Sequence, residues 1–471
     1  MKVPTDVFNI KLLVNKQTLA WNNIGQNFIV SVLPYEKTYI LNETGQEIFK
    51  PILHTEKTIG ELFILLKEKY KISDDELLED ILSFIYSLSK RKVLSPKSDE
   101  DLKMIEKFGK EMPINPLHST DEFLPKLSNS QLGFFPIDVH WDITYKCNLN
   151  CIHCYLGDLR MKKNDELQYS ECIKILEELR SLGTFNITFS GGEPFLKPEF
   201  ITIVKEARKM GFKINIITNG TLLNNEMIDE LKNLFIEINV SLYGLSSDFH
   251  EKVTGVKGSY KKTWNAIENL LESKTKFKLK VTAIKQNLNN MNKLINHLEK
   301  MGINFELNTS LLPDISESSD IIESCQIPKS TLEEELKDYI RKNINLLKKE
   351  TWNPVCYAGR QRLVIDPEGN IYPCILLRWN CGNAKEQKIQ EIWYNSIPMI
   401  FLRMLTKEQF RHCDNCDIKD FCVFCMGRNF LKTKNIFSPA DDICLYAKTL
   451  KEIYKKETQE GELLKFNKER R

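Results

Sequence analysis

The sequence predicts an α/β protein: a partial (β/α)6 barrel, with a small winged-helix-like domain before it and a cysteine-rich domain after it. Three observations carry this. From residue 136 onward, strand-like apolar runs alternate with amphipathic helical stretches, the pattern of a parallel β/α layer structure. Residues 1–95 follow a different plan, with short alternating strands first and helices afterwards. The thirteen cysteines are unevenly spread: three lie between 147 and 154, eight between 356 and 444, and Cys172 and Cys325 stand apart.

A chain of 471 residues is long enough for two or three separate cores. No apolar run approaches the roughly 18 residues that cross a bilayer, and the N-terminus lacks the apolar region of a secretory signal. These features imply a cytoplasmic protein with no membrane partner. The net charge of +2, from 66 basic and 64 acidic residues, offers no general attraction for nucleic acid. An odd number of thiols in a reducing compartment points to metal or redox chemistry. Cys172 and Cys325 read as buried, inert thiols.

Taken in order, "FNIKLLV", "QNFIVSVL" and "KTYILN" read as strands of a small sheet. Helices follow over "NETGQEIFKPIL", "TIGELFILLKEKY" and "SDDELLEDILSFIYSLSKRKVL", the last opening with Ser73 and Glu76 at capping-box spacing. Residues 96–134 are polar and weakly periodic, a linker. The barrel spans 135–345, with strands expected at "IDVHWDIT", "FNITFS", "FKINIITN", "FIEINVSL", "KLKVTAI" and "NFELNTSL". Two helices between them end at a glycine suited to a left-handed cap. Residues 346–450 form the cysteine-rich domain, and 451–471 read as a basic tail at a solvated helix end.

The stretch "CNLNCIHCY" places Cys147, Cys151 and Cys154 after the first barrel strand, at the end of a parallel sheet where such folds bind ligands. Spacings of four and three let one loop present a thiolate to each of three irons of a cubic cluster. Zinc would need a fourth ligand, and His153, adjacent to Cys154, is poorly placed to supply it. The CxxxCxxC pattern resembles the signature of radical S-adenosylmethionine (SAM) enzymes. In that family a [4Fe-4S] cluster keeps one iron for the amino and carboxylate groups of SAM, which one electron cleaves to methionine and a 5′-deoxyadenosyl radical. The resemblance makes His153 a partner of the adenine. "SGGEP" resembles the GGEP motif that holds the SAM amino group, through Gly191, Gly192 and Glu193. "TNGT", "VSLYG" and "KVTAIKQN" occupy the ends of the next three strands, and with them Asn219, Ser241 and Ile284 become candidate SAM contacts. Tyr243 stands where many members carry Asp.

"CYAGRQRLVIDPEGNIYPC" and "CDNCDIKDFCVFC", closed by Cys444, resemble the SPASM extension, which holds auxiliary [4Fe-4S] clusters. Eight thiolates suffice for two such clusters. The resemblance assigns Cys413, Cys416, Cys422 and Cys444 to a distal cluster and Cys356, Cys374 and Cys425 to a proximal one. Cys381 is either the fourth proximal ligand or a free thiol beside an open iron.

"LNETGQEIF", "TIGEL" and "DDELLEDILSF" resemble the PqqD-type peptide-recognition domain, in which a leader peptide adds a strand to the sheet edge. A DNA-binding winged helix would meet phosphate with the acidic start "SDDELLED", which opposes that reading. Together the three regions resemble maturases of ribosomally made peptides, supplied with electrons by a reductant such as flavodoxin or ferredoxin. The expected outcome is a thioether crosslink from Cys, of sactipeptide or ranthipeptide type. Alternatives are a carbon-carbon crosslink, an anaerobic sulfatase-type maturase, whose usual Asp after the second SPASM cysteine is here Ile375, and an iron-sulfur winged-helix regulator.

Overall fold

The computed structural model describes residues 3–112, 133–161, 165–317, 324–328, 331, 335–344, 348 and 353–469. Most of the expected linker and part of the chain after the sixth barrel strand lie outside them.

The N-terminal unit contains β1 (Lys11–Leu13), β2 (Leu19–Ile24), β3 (Asn27–Val32), β4 (Lys37–Leu41), α1 (Glu43–His54), β5 (Lys57–Thr58), α2 (Ile59–Lys67), α3 (Asp74–Lys90), β6 (Ser95–Pro96) and α4 (Asp99–Phe108). Strand β2 was not among the expected strands. It pairs antiparallel with β3, which pairs with β4, in the order β2-β3-β4. This sheet is apolar on both faces: Trp21, Val30 and Tyr39 pack on the helices, while Ala20, Ile29 and Ile40 pack towards the barrel residues Ile137 and Phe185. Ser73 caps α3 as expected by accepting from the Glu76 amide, and Thr58 with Glu61 forms a complete capping box on α2.

The boundary at residue 95 needs correction. Residues 99–108 are helical, capped by Ser98, and Lys110 N and Met112 N donate to the Ser83 and Ser87 hydroxyls of α3 at 2.9 and 2.7 Å. Residues up to 112 therefore belong to the N-terminal unit. α4 is short and set between polar flanks, with only Ile105 fully buried and Leu102, Met104 and Phe108 packed around it.

Six parallel strands follow: β7 (Asp138–Thr144), β8 (Asn186–Gly191), β9 (Lys213–Thr218), β10 (Glu237–Leu242), β11 (Phe277–Thr282) and β12 (Phe305–Asn308). Alternation sets their two faces. Val139, Trp141, Ile187, Phe189, Val240 and Leu279 enter the core shared with the helices. Asp138, His140, Asn186, Asn239 and Lys280 fall on the opposite, concave face. Gly183 and Gly211, ending the helices before β8 and β9, have φ of 89° and 91°, where a Cβ is disfavoured.

One strand crosses the expected domain boundary. β13 (Arg362–Ile365) pairs parallel with β7, and β14 (Asn370–Tyr372) and β15 (Gly382–Asn383) continue the sheet, giving the order β12-β11-β10-β9-β8-β7-β13-β14-β15. The cysteine-rich region is thus built onto the barrel sheet itself. The expected tail is likewise part of a helix, Asp441–Glu469, whose buried Ile453 joins the barrel core.

Candidate active site

The loop after β7 is held from three sides. Gly192 N and Glu193 N donate to Thr144 O and Lys146 O, both at 2.8 Å, and so seat the start of the loop against the end of β8. Asn150 N and Ile152 N donate to Thr254 O and Val253 O at 2.9 and 3.0 Å. Asn148, which attracts no attention in the sequence, donates to Thr221 Oγ1 at 2.7 Å and accepts from Asn219 Nδ2 at 2.9 Å. Asn219 is therefore engaged in bracing the loop.

The two glycines serve a purpose beyond ligand approach. A Cβ on Gly192 would lie 2.2 Å from Lys146 O, and one on Gly191 the same distance from Thr144 O. Backbone, not a ligand, fills the missing side chains. Gly192→Ala is expected to destabilise the protein by about 3 kcal/mol and to displace Cys147; urea unfolding and iron content check both.

Glu193 is fully buried, accepting from Thr218 Oγ1 at 2.7 Å and Asn219 N at 2.8 Å. Desolvation outweighs these bonds and raises its pKa from 4.5 to about 7. Between those values the unfolded chain has lost a proton that the folded chain keeps, so stability falls as pH rises. The iron-free protein is expected to lose roughly 3 kcal/mol across this window, and Glu193→Gln to flatten the slope in denaturation curves.

Cys147, Cys151 and Cys154 converge closely enough for their charges to couple, and burial raises all three thiols, Cys151 to about 12. Leu149 N donates to Cys147 Sγ at 3.4 Å, and the nearby Arg160 guanidinium favours the thiolates. Iron must displace their protons on binding. Among the described residues no three such side chains converge on one mononuclear ion; a cubic cluster spreads its thiolates wider, because each binds a different iron. The donor set fits a cluster.

Beside the loop, His153 meets the Tyr243 ring edge-on at 5.0 Å, and burial lowers its pKa to about 4, leaving a neutral imidazole. Its Nδ1 is buried with no hydrogen-bond partner, an orphan that a bound nucleoside would satisfy. Tyr243, Ile284, Leu311 and Cys325 pack in one cluster touching Cys151. Tyr243, without a clear role in the sequence, is thus a wall of the candidate adenine site, and Cys325 lines the same cluster. Ser241 lies beside the Tyr243 side chain on the concave face.

The C-terminal thiols form two sets. Cys356, Cys374 and Cys425 couple with one another and border a cavity of about 380 Å³ that also exposes His140, Thr188 and Arg362. Cys413, Cys416 and Cys444 couple likewise, with Cys422 packed beside the same final helix. Cys381 is coupled to neither set. Its amide donates to Ile371 O at 2.8 Å and its thiol to Trp379 O at 3.4 Å, beside Ser396 and Arg403. The β14–β15 pairing holds it there. Cys154, Cys374 and Cys425 all border one apolar cluster around Tyr145, Leu156 and Leu376, so the first and proximal thiol sets are neighbours.

Residues 141–298 match the radical SAM superfamily, 356–417 the SPASM iron-sulfur cluster-binding domain and 30–94 coenzyme PQQ synthesis protein D. The three matches make the chain a radical SAM enzyme with a SPASM domain and a PqqD-like domain. As a radical SAM enzyme with a SPASM domain, it uses SAM and several [4Fe-4S] clusters. Among curated relatives, an AdoMet-dependent heme synthase of Methanosarcina barkeri is 25% identical over 65% of this chain and 96% of its own. The mycofactocin maturase MftC of Mycolicibacterium smegmatis is 26% identical over 63% and 79%. Among solved structures, Streptococcus suis SuiB bound to its precursor peptide SuiA superimposes with a TM-score of 0.63, at 17% identity, over 92% of this radical SAM enzyme and 99% of SuiB. That likeness establishes the shared fold. No helix among the described residues is long and apolar enough to cross a membrane.

Proposed function

We propose that this radical SAM enzyme matures a ribosomally made precursor peptide, closing intramolecular sulfur-to-carbon thioether crosslinks from its Cys residues. The observation that carries the reading is the joining of three parts in one structure: a PqqD-type domain on the barrel, a concave polar face, and thiol sets meeting around Tyr145. The heme synthase and MftC matches cover about two thirds of the chain, whereas SuiB, a protein with a peptide substrate in its structure, matches over 92%. This favours a peptide over a porphyrin.

SAM and its cluster, when bound, supply a 5′-deoxyadenosyl radical. Around them, Cys147, Cys151 and Cys154 hold iron, His153, Tyr243 and Ile284 enclose the adenine, and Gly191, Gly192, Glu193, Asn219 and Ser241 shape the remainder of the SAM site. The barrel excludes water from the reacting carbon. Closing a thioether removes one hydrogen atom from that carbon, a proton from the cysteine thiol and one electron. Cys356, Cys374 and Cys425 hold the group that takes the electron, and a reductant such as flavodoxin or ferredoxin starts each turnover.

Anaerobic turnover with SAM, reductant and the Cys-containing precursor encoded beside this gene tests the proposal. The expected result is 5′-deoxyadenosine together with a peptide lighter by two hydrogens per ring, with fragmentation locating the new bond at sulfur. A bond between two carbons would replace thioether formation with the carbon-carbon reading, and an unchanged peptide mass would exclude both.

A further inference from the structure

The N-terminal sheet is docked beneath the barrel, at the starts of its strands, opposite the end that carries the cysteine loop. Trp21 N donates to Gly211 O at 3.0 Å, Asn22 Nδ2 to Thr184 O at 2.7 Å and Arg208 Nη2 to Leu19 O at 2.9 Å. These bonds tie β2 to the turns that precede β8 and β9. The opposite edge of the sheet, β4, has no strand beyond it among the described residues. A peptide strand added at β4 therefore starts at the wrong end of the barrel and needs a route to the site.

The structure contains a continuous polar lane in the required place. Glu36, at the start of β4, is ion-paired with Lys276, which also lies 3.1 Å from Glu237; these two residues open β11 and β10. Above them on the concave face, Lys278 and Lys280 lie 3.0 and 2.7 Å from Glu306 of β12. Their side chains are 28%, 33% and 49% exposed, although their neighbours Leu279 and Val281 are fully buried. β12 is the last strand on this side of the nine-stranded sheet among the described residues. The lane ends level with Ser241, beside Tyr243 and the cysteine loop.

We infer that the precursor segment between the leader and the modified residue runs extended up the concave face of β10–β12, from the free edge of β4 to the site. This rests on the peptide-maturase reading. The lane suits a peptide main chain with polar side chains: it offers ammonium and carboxylate groups at successive levels, already exposed and able to exchange partners. Its continuity with the β4 edge gives one occupant rather than two separate sites. It also sets a ruler. Lys276 to Thr282 is six residue steps, so at about 3.3 Å per residue the climb is roughly 20 Å and an extended spacer needs at least about six residues.

The test uses the whole cluster-loaded enzyme and the precursor encoded beside this gene, with the spacer between its leader and its first modified residue trimmed one residue at a time. A fluorescein-labelled leader segment reports docking by anisotropy, and mass spectrometry reports crosslinking. Leader affinity is expected to stay constant, while crosslinking falls at least roughly tenfold once the spacer is shorter than about six residues, because a linker that cannot span two sites leaves almost no effective concentration at the second. Lys278→Glu with Lys280→Glu is expected to raise KM for the full precursor roughly tenfold by leaving three carboxylates unneutralised. A three-residue spacer processed at the full rate would overturn the path and leave the maturase reading intact. Failure of the labelled leader to bind, with no mass change in any precursor, would overturn both.

Discussion

Cys147→Ala is expected to end 5′-deoxyadenosine formation and to lower the iron content from about twelve to about eight per chain, since three [4Fe-4S] clusters become two. Cys147 is firmly seated. The residue before it accepts from Glu193 N at 2.8 Å, and the next but one donates to its own sulfur at 3.4 Å. Removing it leaves two thiolates for a cluster that already keeps one iron for SAM. The auxiliary sets draw on other loops and should load normally. Iron and sulfide analysis of the anaerobically reconstituted variant, with chromatography of the nucleoside, measures both effects. Continued SAM cleavage at the original rate would remove the loop from the chemistry.

The second large effect separates two cysteines only seven positions apart. Cys374→Ala is expected to lose about four irons per chain and to abolish crosslinking, while SAM cleavage continues without peptide product. Cys381→Ala is expected to keep all its iron. Cys374 couples with Cys356 and Cys425 at the cavity wall, whereas Cys381 is held by Ile371 O and Trp379 O and packs against the barrel core. Mössbauer spectra and iron analysis of the two variants give the comparison. Loss of a cluster from Cys381→Ala would restore that residue as a ligand.

Much of the barrel was legible because its signals are local. All six expected strands form, since apolar alternation, β-branched residues and flanking glycines act within a few positions. The loop of Cys147, Cys151 and Cys154 was equally plain: ligands spaced by three and four along one turn need no distant partner to be recognised. Other elements were hidden for physical reasons. In β2, which is apolar on both faces between helices and barrel, alternation is lost. α4 is ten residues long, and its apolar stripe of Leu102, Ile105 and Phe108 is too short to stand out from its polar flanks. β13 reads as an isolated apolar run until β7 is beside it.

The glycines of "SGGEP" show the same division at one residue. Their presence in the sequence signals a close approach, but what approaches is the backbone of Thr144 and Lys146, brought there by parallel pairing of β7 with β8. Tyr243 is similar, since a departure from a motif becomes a wall facing His153 only when the loop after β7 folds across the sheet to the end of β10.

By itself, then, the sequence determined the class of fold, the order of its three domains and the thiolate chemistry of the first loop, because each depends on spacing along the chain. Only the tertiary structure decided which distant thiols lie beside one another, that Cys381 sits apart from both groups, and that the N-terminal sheet docks against the starts of the barrel strands. Those outcomes depend on hydrogen bonds and packing between residues more than a hundred positions apart, such as Asn22 with Thr184, and no local pattern encodes them.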